Sequence, residues 1–247
     1  KLGAEVTVLE LAPRLMSRAM PPVVGDFARA LHESHGVRLE LGIKIELTEA
    51  IGGELIVRTE QGQHACDVLV AGVGAIPNVE LAADAGIAVE DGIRVDAQGR
   101  TSDPDIYAAG DVTRHDNPIL GRAIRIESWQ VALNQAAPVA RAMLGATEPY
   151  AELPWMWTDQ YDCNMQVLGL PSPEAELILR GDVASGKFTA LELGPGGRIA
   201  AAITVNNGRD MSALRRLASA KTTWPREVLA DAARPLAELA KAAQRAG

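Results

Sequence analysis

The strongest constraint on this chain is the order of its apolar segments in the first seventy-five residues. Val6–Leu9 is a short β-branched run ending in Glu10, bounded by Gly3 and Pro13, and reads as a buried parallel strand. Over residues 21–35, apolar side chains at Val24, Phe27, Ala28 and Leu31 have helical spacing, and Gly36 stands where a helix stops. Val37–Leu41, Ile43–Leu47 and Leu55–Thr59 read as strands with turns at Gly52-Gly53 and Gln61-Gly62. Val68–Val73 is a further apolar run, predicted as a buried strand that opens on Gly72 and Gly74 before Pro77. Strand, helix, strand and then a glycine-rich strand end make the pattern of a doubly wound α/β sheet.

The same grammar recurs after Pro77. Asn78–Ala85 is predicted as a short helix, and Ile93–Val95 and residues 106–109 as strands, the latter running into Gly110-Asp111. Trp129–Leu144 is predicted as one alanine-rich helix ended by Gly145. From about Tyr150 the composition changes. Met165–Leu168, Leu177–Arg180, Phe188–Leu193 and Ile199–Val205 read as antiparallel strands, with a Gly-Pro-Gly-Gly turn at 194–197. Helices near residues 210–218, 227–233 and 236–246 close the chain.

Composition narrows the function classes. Of 247 residues, 47% are hydrophobic and 23% charged, which excludes wholesale disorder. No apolar run reaches the ~18–20 residues of a membrane span, so a soluble protein is expected. A net charge of −8 argues against nonspecific nucleic-acid binding. Cys66 and Cys163 lie far apart with no CxxC and no zinc spacing, so they are read as packing residues of a protein in a reducing cytoplasm. The four histidines have no metal-ligand spacing.

Three groups of residues carry chemistry. A carboxylate at the end of the second strand of a dinucleotide-binding unit accepts hydrogen bonds from ribose hydroxyls and disfavours a 2′-phosphate. Glu10 fits that role, or that of a solvated strand-end acid. The phosphate-binding glycines belong ~20 residues earlier. That position falls before Lys1, and the chain opens Lys1-Leu2-Gly3 without a methionine. The front of the unit is therefore expected to be missing. Arg14 and Arg18 follow on the next loop, where a guanidinium suits either a pyrophosphate or a surface ion pair. The most specific segment is Thr101-Ser102-Asp103-Pro104-Asp105-Ile106-Tyr107-Ala108-Ala109-Gly110-Asp111. It delivers a carboxylate to the ligand-binding edge of an open sheet, behind a glycine that permits close approach.

Those eleven residues resemble the second FAD fingerprint of two-dinucleotide-binding flavoprotein reductases. Residues 70–78 resemble the strand that leads back from the NADH domain into the FAD domain. Arg125-Ile126-Glu127-Ser128-Trp129 and Pro154-Trp155-Met156-Trp157-Thr158-Asp159-Gln160 are similar to the ferredoxin reductase components of aromatic-ring dioxygenase systems. These include the biphenyl dioxygenase and putidaredoxin reductase types, within the FAD-dependent pyridine nucleotide-disulfide oxidoreductase superfamily. Thr158 stands where serine is more common in that family and keeps the hydroxyl.

The resemblance implies two doubly wound, glutathione reductase-like domains, both incomplete at the N-terminal side, followed by an α+β C-terminal domain. The expected boundaries are 1–76 for part of the NADH domain, 77–149 for part of the FAD domain, and 150–247. It implies that Glu10 and Arg18 contact the adenosine half of NADH and that Gly72 and Gly74 lie on the nicotinamide side. It implies that Asp111 holds the ribityl chain of FAD, with Gly110 leaving that approach open. Glu127, Ser128 and Trp129 begin a helix facing the flavin, and Trp157 lies beside the isoalloxazine. Trp155 is read as core packing. The implied activity is electron transfer from NADH through FAD to a [2Fe–2S] ferredoxin of an oxygenase system in aromatic hydrocarbon catabolism. Alternatives are a reductase of rubredoxin or another acceptor, or a non-catalytic fragment unable to hold FAD alone. Arg114, Arg122 and Arg125 form a basic cluster expected to dock an acidic ferredoxin.

Overall fold

The computed structural model describes residues 3–172, 174–220 and 223–246; the opening residues Lys1 and Leu2 lie outside them. The chain divides into two compact units, one up to Gly74 and one from Ala75.

In the first unit, β1 (Thr7–Glu10) is followed by α1 (Pro22–Ser34) and β2 (Arg38–Leu41). The two strands pair in parallel, Thr7 against Arg38 through Glu10 against Leu41. Extended Pro21 and Pro22 at the first helical turn set the entry of α1, since proline suits positions whose N–H would be unpaired. Gly36, at φ +80°, ends it, as the Val37 N–H returns to the His32 carbonyl. Val24 and Ala28 bury the inner face. Then β3 (Ile45–Ile51), β4 (Glu54–Thr59) and β5 (Gly62–Cys66) form an antiparallel meander. The sequence reading placed only a turn at Gln61-Gly62, whereas Gly62 already pairs with Thr59. β1 is half-buried rather than buried.

The expected strand at Val68–Val73 is a correction. These residues form no strand, and Val68, Val70 and Val73 are largely exposed. A parallel strand needs a neighbour on at least one edge for its N–H and C=O groups. Among the described residues none pairs with this run.

The second unit opens with α2 (Glu80–Asp84). A small sheet follows in which β6 (Ile93–Val95) pairs parallel to β7 (Thr113–Asn117), and β7 antiparallel to β8 (Arg122–Ile124). Residues 106–109 form no strand; only Tyr107 bridges to Arg100. The predicted single helix is two, α3 (Trp129–Asn134) and α4 (Ala136–Met143). Gln135 between them keeps helical angles, and the break falls where Pro138 has no N–H to give to the Asn134 carbonyl.

The C-terminal part carries the main core. Here β9 (Trp155–Gln160), β10 (Cys163–Gly169), β11 (Glu176–Asp182), β12 (Lys187–Leu193) and β13 (Ile199–Val205) form an antiparallel sheet of order β11-β12-β13-β10-β9. α5 (Met211–Ser219), α6 (Arg226–Ala230) and α7 (Leu236–Ala246) cover it. Leu168, Ile178, Leu191, Leu214, Leu229 and Leu239 meet in one apolar cluster. Among the described residues no helix is long and apolar enough to cross a membrane.

Candidate functional site

In the first unit, Glu10 ends β1 and its Oε1 accepts the Ala12 N–H at 2.8 Å, which fixes the turn leaving the strand. Arg18 is exposed on the following loop, and Arg14 is half-buried, its Nη1 without a partner among the described residues. Gly72 and Gly74 lie in the exposed run that forms no strand, Gly74 at φ +93°.

In the second unit the structure draws several of the expected residues onto one helix pair. Gly110 turns at φ +89°, and among the described residues nothing lies within 4 Å of where a Cβ would stand, so the face beside Asp111 is open. The turn is held from behind. Buried Gln135, at the α3–α4 junction, accepts the Gly110 N–H at 2.7 Å and the Thr113 hydroxyl at 3.1 Å. The Ser128 hydroxyl caps α3 by accepting the Val131 N–H at 3.2 Å. The next residue, Trp129, is 63% exposed and meets Trp157, 43% exposed, edge-on at 5.7 Å. Trp157 in turn stacks on Trp155 at 4.8 Å, and the Arg215 guanidinium lies 4.5 Å from the Trp155 ring centre. Trp155 also packs against the apolar cluster of the C-terminal sheet.

Sequence reasoning missed the residues that fasten these pieces together. Gln130, buried on α3, donates to Glu152 Oε2 at 2.7 Å and accepts the Trp155 N–H at 2.7 Å. Asn134 Nδ2 reaches the same Glu152 oxygen at 2.8 Å, and Asn117 Nδ2 donates to the Glu152 carbonyl at 2.8 Å. The available signal was glutamine at inward-facing positions of an otherwise alanine-rich helix, where a polar side chain needs a buried partner.

His115 and Tyr150 pack nearby, ring centres 5.4 Å apart. The imidazole is 1% exposed, and among the described residues neither nitrogen has a hydrogen-bond partner. Burial pushes its pKa down, against a smaller upward pull from Asp116. Burial, aided by Glu152, raises the Tyr150 hydroxyl to about 12. The folded state thus holds His115 neutral while the unfolded chain protonates near the ordinary value of about 6.5. Its contribution to stability is complete above that value and is lost as pH falls toward the depressed folded-state value. Urea unfolding at pH 7.5 and pH 5.5 is expected to show a lower midpoint at the acid pH, and His115→Leu to narrow that difference. Equal acid sensitivity in both proteins excludes His115 as its source.

The basic cluster is a correction. Arg125 Nε lies 2.9 Å from Asp91 Oδ1, and its Nη1 is paired with Glu127. Glu127 raises the Arg125 pKa most, with Asp91 adding to it against burial. Arg114 is shared between Glu90 and Asp91, both at 3.7 Å. Only Arg122 of the three stands outside these pairs, so acidic neighbours neutralise the face expected to be positive.

Comparison with known proteins places this geometry. Residues 1–136 match the family described as pyridine nucleotide-disulphide oxidoreductase, and residues 155–240 match the reductase C-terminal family. The chain is 52% identical over 232 residues to the ferredoxin–NAD(+) reductase component of the anthranilate 1,2-dioxygenase system of Burkholderia cepacia, a match covering 94% of this chain and 57% of that protein. The crystal structure of the ferredoxin reductase for the CYP199A2 system of Rhodopseudomonas palustris superposes with a TM-score of 0.91 at 36% identity, covering 96% of this chain and 59% of that one. The covalent putidaredoxin reductase–putidaredoxin complex gives a TM-score of 0.91 at 33% identity, with 97% and 58% covered. The chain thus spans somewhat under three fifths of the length of these relatives. With its mixed α/β fold and its match over more than half of its length, the chain belongs to the pyridine nucleotide-disulphide oxidoreductase family.

Proposed function

We propose that this chain forms part of a cytoplasmic ferredoxin–NAD+ reductase that passes electrons from NADH through FAD to a [2Fe–2S] ferredoxin of an oxygenase system. Residues 1–76 belong to its NADH-binding domain, 77–149 to its FAD-binding domain and 150–247 to its C-terminal domain. The observation that carries the reading is an open carboxylate turn held by the α3–α4 junction together with an exposed indole pair in which Trp129 at the start of α3 meets Trp157 of β9. A polyol needs the first and a flat ring system needs the second. The relatives named above support the same reading.

FAD, when bound, supplies the conversion between two-electron and one-electron transfer. The chain supplies placement. Asp111 accepts hydrogen bonds from the ribityl hydroxyls, Gly110 keeps that approach open, and Glu127, Ser128, Trp129 and Trp157 border the ring. Glu10 and Arg18 serve the adenosine half of NADH, and Gly72 and Gly74 its nicotinamide side.

FAD titrated into the chain, followed by flavin fluorescence anisotropy, tests the central residue. Asp111→Ala is expected to weaken binding by roughly tenfold or more, the size of a lost hydrogen bond to a charged group. Equal affinity in the two proteins overturns the role of Asp111. The acceptor is tested on a polypeptide extended to the length of the relatives. NADH-driven bleaching of a [2Fe–2S] ferredoxin is expected to outpace reduction of rubredoxin or a quinone, and the reverse order removes the ferredoxin assignment.

A further inference from the structure

One left-handed turn near the candidate flavin site belongs to none of the residues assigned above. Asp91 sits at φ +47° and is followed by Gly92 at φ +116°. A Cβ on Gly92 would stand 2.7 Å from the Val112 carbonyl oxygen and 3.0 Å from Arg125 Cδ. The turn is therefore wedged between the segment leaving Gly110-Asp111 and the side chain that leads into Glu127. Its register is fixed by the Ile93 N–H, which donates to the Val112 carbonyl at 2.8 Å. The Asp91 carboxylate then grips both segments, with Oδ1 on Arg125 Nε at 2.9 Å and Oδ2 near Arg114 Nη1 at 3.7 Å. Arg125 carries the grip onward to Glu127, two residues before Trp129. A left-handed non-glycine residue is uncommon and marks a position that its surroundings over-determine.

We infer that Asp91 is a positioning residue: by bridging Arg114 and Arg125 it holds the Asp111 turn and the Glu127–Trp129 segment in one fixed relation. Its effect on flavin binding rests on the reading of Asp111, Glu127 and Trp129 as flavin-facing; its effect on the segment itself does not. Asp91 is more than half exposed, so the bridge acts on geometry more than on global stability and weakens with salt.

The test uses the whole chain with three variants. Asp91→Asn keeps the shape and the tolerance of a left-handed backbone but removes the charge. Asp91→Gly removes the carboxylate and relieves the backbone. Arg125→Lys keeps a cation that reaches only one of the two carboxylates. Two readouts follow the segment directly: the Arg125 Nε–H signal in the NMR spectrum and the far-UV exciton couplet of the tryptophan cluster. Asp91→Asn and Asp91→Gly are expected to broaden or lose the former and diminish the latter while the unfolding midpoint holds, and Arg125→Lys to diminish the couplet likewise. FAD affinity is expected to fall about two- to fivefold, the scale of an exposed ion-pair network. Variants that keep both the NMR signal and the couplet overturn the inference. If the parent chain shows no saturable FAD binding, the flavin reading fails, and the two segment readouts still decide the role of Asp91.

Discussion

Alanine at position 169 is expected to destabilise the C-terminal sheet by about 2–5 kcal/mol, from backbone strain at a positive φ plus overpacking. Gly169 ends β10 at φ +79°, and a Cβ there would stand 2.1 Å from the Ala200 carbonyl oxygen. That oxygen belongs to β13, the central strand beside β10, so it cannot move without disturbing the pairing of Gly169 with Ala201. The Gly169 N–H also donates to the Pro154 carbonyl at 2.8 Å and so ties β10 to the segment entering β9. Urea unfolding followed by circular dichroism measures the loss. An alanine variant with the midpoint of the parent shows that β13 yields at this point and refutes the expectation.

Arg180→Met carries the second large effect, about 2–6 kcal/mol, because two backbone carbonyls lose their donors at about 1–3 kcal/mol each. Arg180 leaves β11 into the interior, where its guanidinium donates to the carbonyls of Leu229 and, at 2.6 Å, of Arg234. Burial lowers its pKa, opposed by Asp210 and Asp231. Methionine fills the stem's volume, so the loss reports on the carbonyls rather than on a cavity. Hydrogen exchange at Ala233 and Arg234 should accelerate along with the fall in stability, and Arg180→Lys should recover part of both. Unchanged protection around residue 234 contradicts the idea that this side chain pins α6 and its following loop.

The parts of the fold that were legible in the sequence are those whose stability is local or periodic. α1 carries its own start in Pro22 and its own stop in Gly36, and its apolar spacing names its inner face. β10 to β13 are apolar runs bounded by turn residues. The illegible parts depend on neighbours. Val68–Val73 has every strand propensity, yet no strand pairs with it among the described residues, and side-chain preference cannot replace a missing hydrogen-bond ladder. At the site, sequence singled out residues to be proposed as ligand-facing, because few residue types suit those tasks. It did not identify Gln130, Gln135, Glu152 or Asp91, whose partners lie far along the chain. The arginine cluster failed for a related reason: counting cations over residues 114–125 ignores Glu90 and Asp91, which the fold returns to the same place.

The connection across Tyr150 bears on how such a protein can be recombined. Residues 150–154 form a short stretch without regular structure before β9 begins, which makes them an inviting junction for exchanging C-terminal halves between relatives. Yet Glu152 answers to Asn117, Gln130 and Asn134, and the Trp155 N–H answers to Gln130. A chimera cut there inherits the amide side chains of Asn117, Gln130 and Asn134 from one parent and their partners at Glu152 and Trp155 from the other. The heritable module therefore runs from the Asp91 turn through the C-terminal sheet, and its natural seams lie outside that span.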